Sequence, residues 1–146
     1  MDKKIYLDYN ATTPCDPIVV DHMLPFFSEK FGNPSSSHHA FGWIARDVVR
    51  ESTQLIAETL GVSPDTLTYT SGATESANMI LKSFAGTNDQ GRNHIITCKT
   101  EHKAVLDTCD WLQKNELADV IYLEVDENGL VYLEQLKRAI RPETVM

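Results

Sequence analysis

From Ala40 onward the apolar residues Phe41, Ile44, Ala45, Val48, Val49, Leu55, Ile56 and Leu60 recur at the three- and four-residue spacing of one helix face. Gly61 follows as a stop signal. An earlier helix is predicted from Asp16-Pro17, read as N-cap and first helical residue, to about Lys30, with a kink or early end at Pro25. Ahead of it, Ile5 to Tyr9 is a short extended segment ending in the polar turn Asn10-Ala11-Thr12-Thr13-Pro14, while Phe31 to His39 is a loop by composition. Beyond Gly61 the pattern alternates. It predicts strands at 66–70, 93–98 and 118–125, helices at 75–85 and 101–115, and a short helix from Leu133 to Ile140 after the turn Asp126-Glu127-Asn128-Gly129. Strands separated by helical runs imply right-handed crossovers and a largely parallel sheet, an α/β protein. Pro142 to Met146 read as the start of a further strand, so the chain is expected to stop in mid-fold.

The junction Thr70-Ser71-Gly72-Ala73-Thr74-Glu75 carries the most chemical information. A strand that ends in small, hydroxylated residues and then opens a helix presents free backbone N–H groups at the positive end of the helix dipole, a seat for a phosphate. Ser71 and Thr74 add hydroxyl donors, and Gly72 admits close approach of an anion. A second strand ends near Cys98, beside Glu101-His102, and places an imidazole at another strand-to-helix junction. In a parallel sheet both junctions face the crevice at the carboxyl ends of the strands. A phosphate cradle with a ring nearby suggests a phosphorylated, planar cofactor. A dinucleotide site is disfavoured because G-x-G-x-x-G is absent.

Charge and cysteines narrow the choices. Lys and Arg number 13 against 21 Asp and Glu, and the resulting −8 argues against nucleic acid or an anionic membrane as partner. No run reaches the ~18 apolar residues of a membrane span, and the first residues lack signal or transit character, so a cytoplasmic home is the default. Cys15, Cys98 and Cys109 form no C-x-x-C and no metal spacing. Cys109 shares an apolar face with Val105 and Leu112 and is read as core. His38 and His39 beside Trp43 lack a third ligand, so no metal site is predicted and the pair is read as solvated loop. Thr12 and Asn33 are read as bordering the pocket.

Four segments, IYLDYNATTP from Ile5, FGNPSS from Phe31, TSGATES from Thr70 and HIITCKTEHKAVL from His94, resemble the cysteine desulfurases that supply sulfur for iron–sulfur cluster assembly. His39-Ala40-Phe41-Gly42-Trp43 is similar to the housekeeping branch of that family. The resemblance runs along nearly the whole chain but meets only the amino-terminal part of the family's subunit. It implies a pyridoxal 5'-phosphate-dependent homodimer with the aspartate aminotransferase-like fold (fold type I). Residues 1–15 would be an extended amino-terminal segment. Residues 16–146 would be part of the large domain, without its remainder or the carboxyl-terminal small domain. In that fold strand 66–70 lies apart from the other two, which lie side by side.

By the same resemblance Ala73 and Thr74 bind the cofactor phosphate, and His102 stacks on the pyridine ring and can shuttle a proton at the substrate. L-cysteine is the implied substrate and an iron–sulfur scaffold or other acceptor protein the implied recipient of sulfur. The family's Schiff-base lysine, its aspartate at the pyridine nitrogen and its persulfide-carrying cysteine all fall beyond residue 146. Lys82, Lys99, Lys103, Cys15 and Cys98 match none of those contexts, so no catalytic lysine or cysteine is assigned, and the chain alone is expected to be inactive. Two other readings stay open: another enzyme of the same cofactor class, such as a selenocysteine lyase or aminotransferase, and a non-catalytic binding remnant.

Overall fold

Prolines set the limits of the first helices in the computed structural model, which describes residues 4–86 and 91–146. Helix α1 (Pro17–Met23) begins where the Asp16 carboxylate accepts from Ile18 N–H at 2.8 Å. It ends before Pro25, where α2 (Pro25–Ser28) starts through the single linking residue Leu24. The expected interruption at Pro25 is therefore present: proline has no N–H for the preceding turn, and its ring crowds that turn. Helix α3 (Ala40–Leu60) is the one the apolar periodicity predicts, and Gly61, at φ 68°, ends it in the left-handed conformation.

The 31–39 loop is tied to the start of α3. Trp43 Nε1 donates to the Ser37 carbonyl at 2.8 Å, and the Phe31 and Phe41 rings lie 5.7 Å apart. A Cβ on Gly42 would stand 2.0 Å from the Ser36 carbonyl oxygen, and one on Gly32 2.0 Å from that of Phe41. Only glycine permits backbones to approach this closely. These elements belong to a first compact unit that ends at Thr68. Among its described residues it buries only small ones of α3, namely Gly42, Ala45 and Ala57.

The second unit, Tyr69–Met146, holds the main apolar core. Helix α4 (Ala73–Gly86) is followed by β1 (His94–Cys98), α5 (Lys103–Lys114), β2 (Asp119–Leu123) and α6 (Leu133–Ala139). Strands β1 and β2 are parallel, with Ile95 opposite Val120 and Cys98 opposite Leu123. Leu81 of α4, Cys109 and Leu112 of α5, Ile95, Ala118 and Val120 close into one buried cluster, so Cys109 is core as its spacing predicted. Removing these apolar side chains from water is the main stabilising term. Along the outer edge of β1 runs the last segment of the chain. Val145 N–H donates to the His94 carbonyl at 2.9 Å and Ile96 N–H to that of Met146 at 2.8 Å. The expected strand beginning at Pro142–Met146 thus pairs in parallel with β1.

One predicted element is missing. Residues 64–66 form a 3-10 turn and 67–70 run without any ladder partner among the described residues, so 66–70 is not a strand here. A strand is defined by a neighbouring strand that pairs with it in a ladder, and no such ladder is formed here among the described residues. Other boundaries move by one or two residues. Helix α4 starts at Ala73 rather than Glu75, and α5 starts at Lys103 because His102 is its cap.

Candidate functional site

Helix α4 opens with its first amides uncommitted. The N–H groups of Ala73, Thr74 and Glu75 find no acceptor among the described residues, and the first helical bond runs from Ser76 N–H to the Gly72 carbonyl at 3.1 Å. Ala73 and Thr74 are both exposed, and the Thr74 hydroxyl has no partner among the described residues. Its backbone carbonyl accepts from Asn78 Nδ2 at 3.0 Å. A Cβ on Gly72 would meet nothing within 4 Å, so the space in front of the turn is open.

Ser71 behaves differently from the sequence expectation. Its N–H and its hydroxyl both donate to Glu75 Oε2, each at 2.6 Å. The Ser71 hydroxyl is therefore spent inside the turn and is not free for an anion. The Ser71 hydroxyl first, and its amide second, hold the Glu75 carboxyl below its usual range, so it stays ionised. This carboxylate at the third helical position reaches back past Gly72 to the residue ahead of the helix. It takes the donors ahead of the helix and leaves the three helix amides open. Thr70 Oγ1 closes the turn from the other side, 2.7 Å from Ser76 Oγ. The sequence signal for this role of Glu75 is an acid placed three residues after Gly72.

His102 stands at the second junction as the N-cap of α5. Its Nδ1 accepts from Ala104 N–H at 3.1 Å. An accepting Nδ1 carries the lone pair, which puts the ring proton on Nε2 of the neutral imidazole. The ring is exposed, with its orientation fixed by the cap. Glu101 Oε2 accepts from His102 N–H at 3.3 Å, and its Oε1 lies 3.7 Å from Cys98 Sγ. Thr74, Asn78 and Lys82 of α4 line one groove with Ala104 and Trp111 of α5, which brings the two helix starts to a common surface within the second unit. Lys82 Nζ stands 5.0 Å above the Trp111 ring. Thr12 and Asn33 belong to the first unit. Thr12 N–H bonds the Asp8 carbonyl at 3.4 Å, and Asn33 Oδ1 accepts from Ser35 N–H at 2.9 Å. His39, exposed at the end of the loop as expected, also caps α3, its Nδ1 accepting from Gly42 N–H at 3.2 Å. No cluster of three metal-ligating side chains occurs among the described residues.

The second unit thus presents an open helix start at Ala73–Glu75 and, where β1 gives way to α5, an exposed imidazole that caps the helix. The class-V aminotransferase profile matches residues 5–146, and the chain belongs to that family. Its relatives are more specific. Over 142 residues it is 48% identical to cysteine desulfurase IscS of Neisseria gonorrhoeae, covering 97% of this chain and 35% of the relative. Cysteine desulfurase IscS of Rickettsia massiliae is 45% identical over the same length, of which the chain covers 34%. The solved structure of a NifS-like protein superposes with a TM-score of 0.91 at 41% identity, over 97% of this chain and 38% of the other. A structure described as SspA in complex with cysteine gives 0.86 at 38% identity, over 95% and 40%. The fold is therefore that of the aspartate aminotransferase-like (fold type I) enzymes, and the chain spans about a third of the length of the curated relatives it matches.

Proposed function

We propose that the protein to which this chain belongs is a pyridoxal 5'-phosphate-dependent cysteine desulfurase that takes sulfur from L-cysteine, leaves alanine, and passes the sulfur toward iron–sulfur cluster assembly. The observation that carries this reading is the open start of α4, with three amides and the Thr74 hydroxyl unpartnered among the described residues, in a chain 48% identical to a cysteine desulfurase. A phosphate dianion suits that donor set, because charge-assisted bonds from amides at a helix start are among the strongest neutral donors can make. When bound, the cofactor supplies an electron sink for cleavage at the substrate. Ala73 and Thr74 hold its phosphate. His102, fixed by Ala104 N–H, offers a ring face for stacking and an Nε2 proton site at the substrate. Thr12 and Asn33 border the pocket in this reading. Neither a cofactor-bearing lysine nor a sulfur-accepting cysteine is assigned within these residues, and each is supplied by the rest of the protein.

Homodimerisation, a cytoplasmic location and an iron–sulfur scaffold as sulfur acceptor complete the proposal. Among the described residues no helix is long and apolar enough to cross a membrane. Full-length protein incubated with L-cysteine should form alanine and sulfide in equal amounts when a thiol reductant is present. Alanine formed only from selenocysteine, or transamination without sulfur release, would replace this reading by another activity of the same cofactor class.

A further inference from the structure

The Gly72 carbonyl, the last before α4, gathers donors from both sides of the turn. Ser76 N–H reaches it at 3.1 Å, Thr70 Oγ1 stands 3.2 Å from it, and Ser76 Oγ 3.4 Å. The two hydroxyls also lie 2.7 Å from each other. Each hydroxyl has one proton to give, so two arrangements satisfy these contacts. Thr70 donates to the carbonyl while Ser76 donates to Thr70, or Ser76 donates to the carbonyl while Thr70 donates to Ser76. In both, one hydroxyl holds the carbonyl and the other holds that hydroxyl. Thr70 and Ser76 are half-buried, whereas Ala73 and Thr74 are exposed. The pair is therefore not a further set of ligand donors; its target is a backbone carbonyl.

That carbonyl shares a planar, trans peptide unit with the Ala73 N–H, and the two point in opposite directions. Whatever fixes one aims the other. We propose that Thr70 and Ser76 are positioning residues for the cofactor phosphate: by holding the Gly72 carbonyl toward the helix, their hydroxyl pair keeps the Ala73 N–H turned outward to the place the phosphate takes. The proposal rests on the reading of the α4 start as the phosphate seat. Glycine at position 72 makes such support necessary, because a residue without Cβ leaves the peptide after it free to rotate more widely than any other residue would. The hydroxyl pair removes that freedom before the ligand arrives, and a donor already aimed costs less to order on binding.

Equilibrium dialysis of the full-length protein, freed of cofactor, against pyridoxal 5'-phosphate and against pyridoxal, which lacks only the phosphate, tests this. Thr70→Val combined with Ser76→Ala removes both hydroxyls. It should weaken pyridoxal 5'-phosphate binding about three- to tenfold, the range of one neutral hydrogen bond, and leave pyridoxal binding unchanged. Thr70→Ser keeps both hydroxyls and should bind each ligand as the wild type does. An equal loss for the two ligands would show a general effect on the fold, and no loss for pyridoxal 5'-phosphate would show that the amide needs no such support. Either result overturns the proposal and leaves the phosphate reading standing, provided the wild type prefers the phosphorylated ligand. A wild type that binds the two ligands alike would overturn both. Should the double variant fail to fold, Thr70→Val alone, which removes the hydroxyl nearer the carbonyl, decides on the same criteria.

Discussion

Replacing Thr74 by valine removes one oxygen and little else. Thr74 is the second residue of α4, and its side chain is exposed and makes no bond within the described residues. Valine is nearly isosteric and of similar helix propensity, and the Asn78 bond goes to the Thr74 backbone carbonyl, which the substitution keeps. Stability should therefore change by less than about 0.5 kcal/mol, as for an ordinary surface substitution. The effect should appear in cofactor retention instead. A hydrogen bond to a charged group contributes ~1.5–3 kcal/mol, and 1.4 kcal/mol is tenfold in affinity, so retention should fall roughly ten- to a hundredfold. Equilibrium dialysis of full-length Thr74→Val, followed by cofactor absorbance, measures this, with Thr74→Ser as the variant that keeps the hydroxyl and should retain wild-type affinity. Equal retention by valine and wild type would remove Thr74 from the phosphate site. Loss in both variants would point to packing instead of the hydroxyl.

Three further outcomes follow from the same geometry. Leu112→Ala should cost ~2–5 kcal/mol, because Leu112 is 1% exposed inside the cluster with Ile95 and Val120; a urea midpoint unchanged from wild type would show that the cluster is not a cohesive core. Cys15 is exposed and should react with a thiol reagent in the native protein, whereas Cys109, fully buried and with its thiol pushed up chiefly by burial, should react only after unfolding; prompt native labelling of Cys109 by mass spectrometry would contradict this. His102→Gln should leave the phosphate donors intact, so the full-length variant should still bind cofactor while alanine production falls by ~10²-fold or more; wild-type turnover would relieve His102 of its role.

What the sequence made legible was whatever rested on local repetition. Twenty-one residues of α3 follow from one apolar stripe, and β1 and β2 from two apolar runs, because burial on one face imprints its period on the chain. The positions of Thr74 and His102 at helix starts were legible for a similar local reason, since capping signals lie within a few residues of one another. Three features were not. Segment 66–70 has the composition of a strand, but composition cannot supply the neighbour that makes one. The bond from Ser71 to Glu75 diverts a hydroxyl that looks free on paper. His94 looks like any polar residue at a strand start, and nothing near it in the sequence shows that it is fully buried and bonded to Thr144, fifty residues along the chain.

The starts of the three long helices meet one physical need in two ways, and the difference bears on function. Every α-helix begins with amides that lack an intrahelical acceptor. In α3 and α5 a histidine accepts from one of them, Gly42 N–H from His39 and Ala104 N–H from His102. In α4 a carboxylate is present within reach, yet Glu75 turns back to Ser71 and takes the donors that precede the helix. Had Glu75 bonded the helix amides, its charge would occupy the place a phosphate needs and repel it at a few ångströms. Aimed instead at Ser71, it fixes the turn while Ala73 and Thr74 stay open. The same two residues that stabilise the turn therefore limit its charge tolerance. Glu75→Gln should relieve repulsion toward a bound dianion but weaken the two bonds that shape the loop. A dialysis measurement on the full-length variant separates these effects: tighter cofactor binding would show that repulsion dominates, and weaker binding that the Ser71 bonds position the amides. The short contacts at 2.6 Å favour the second outcome, since they are made to an ionised acceptor and an amide side chain cannot replace their strength.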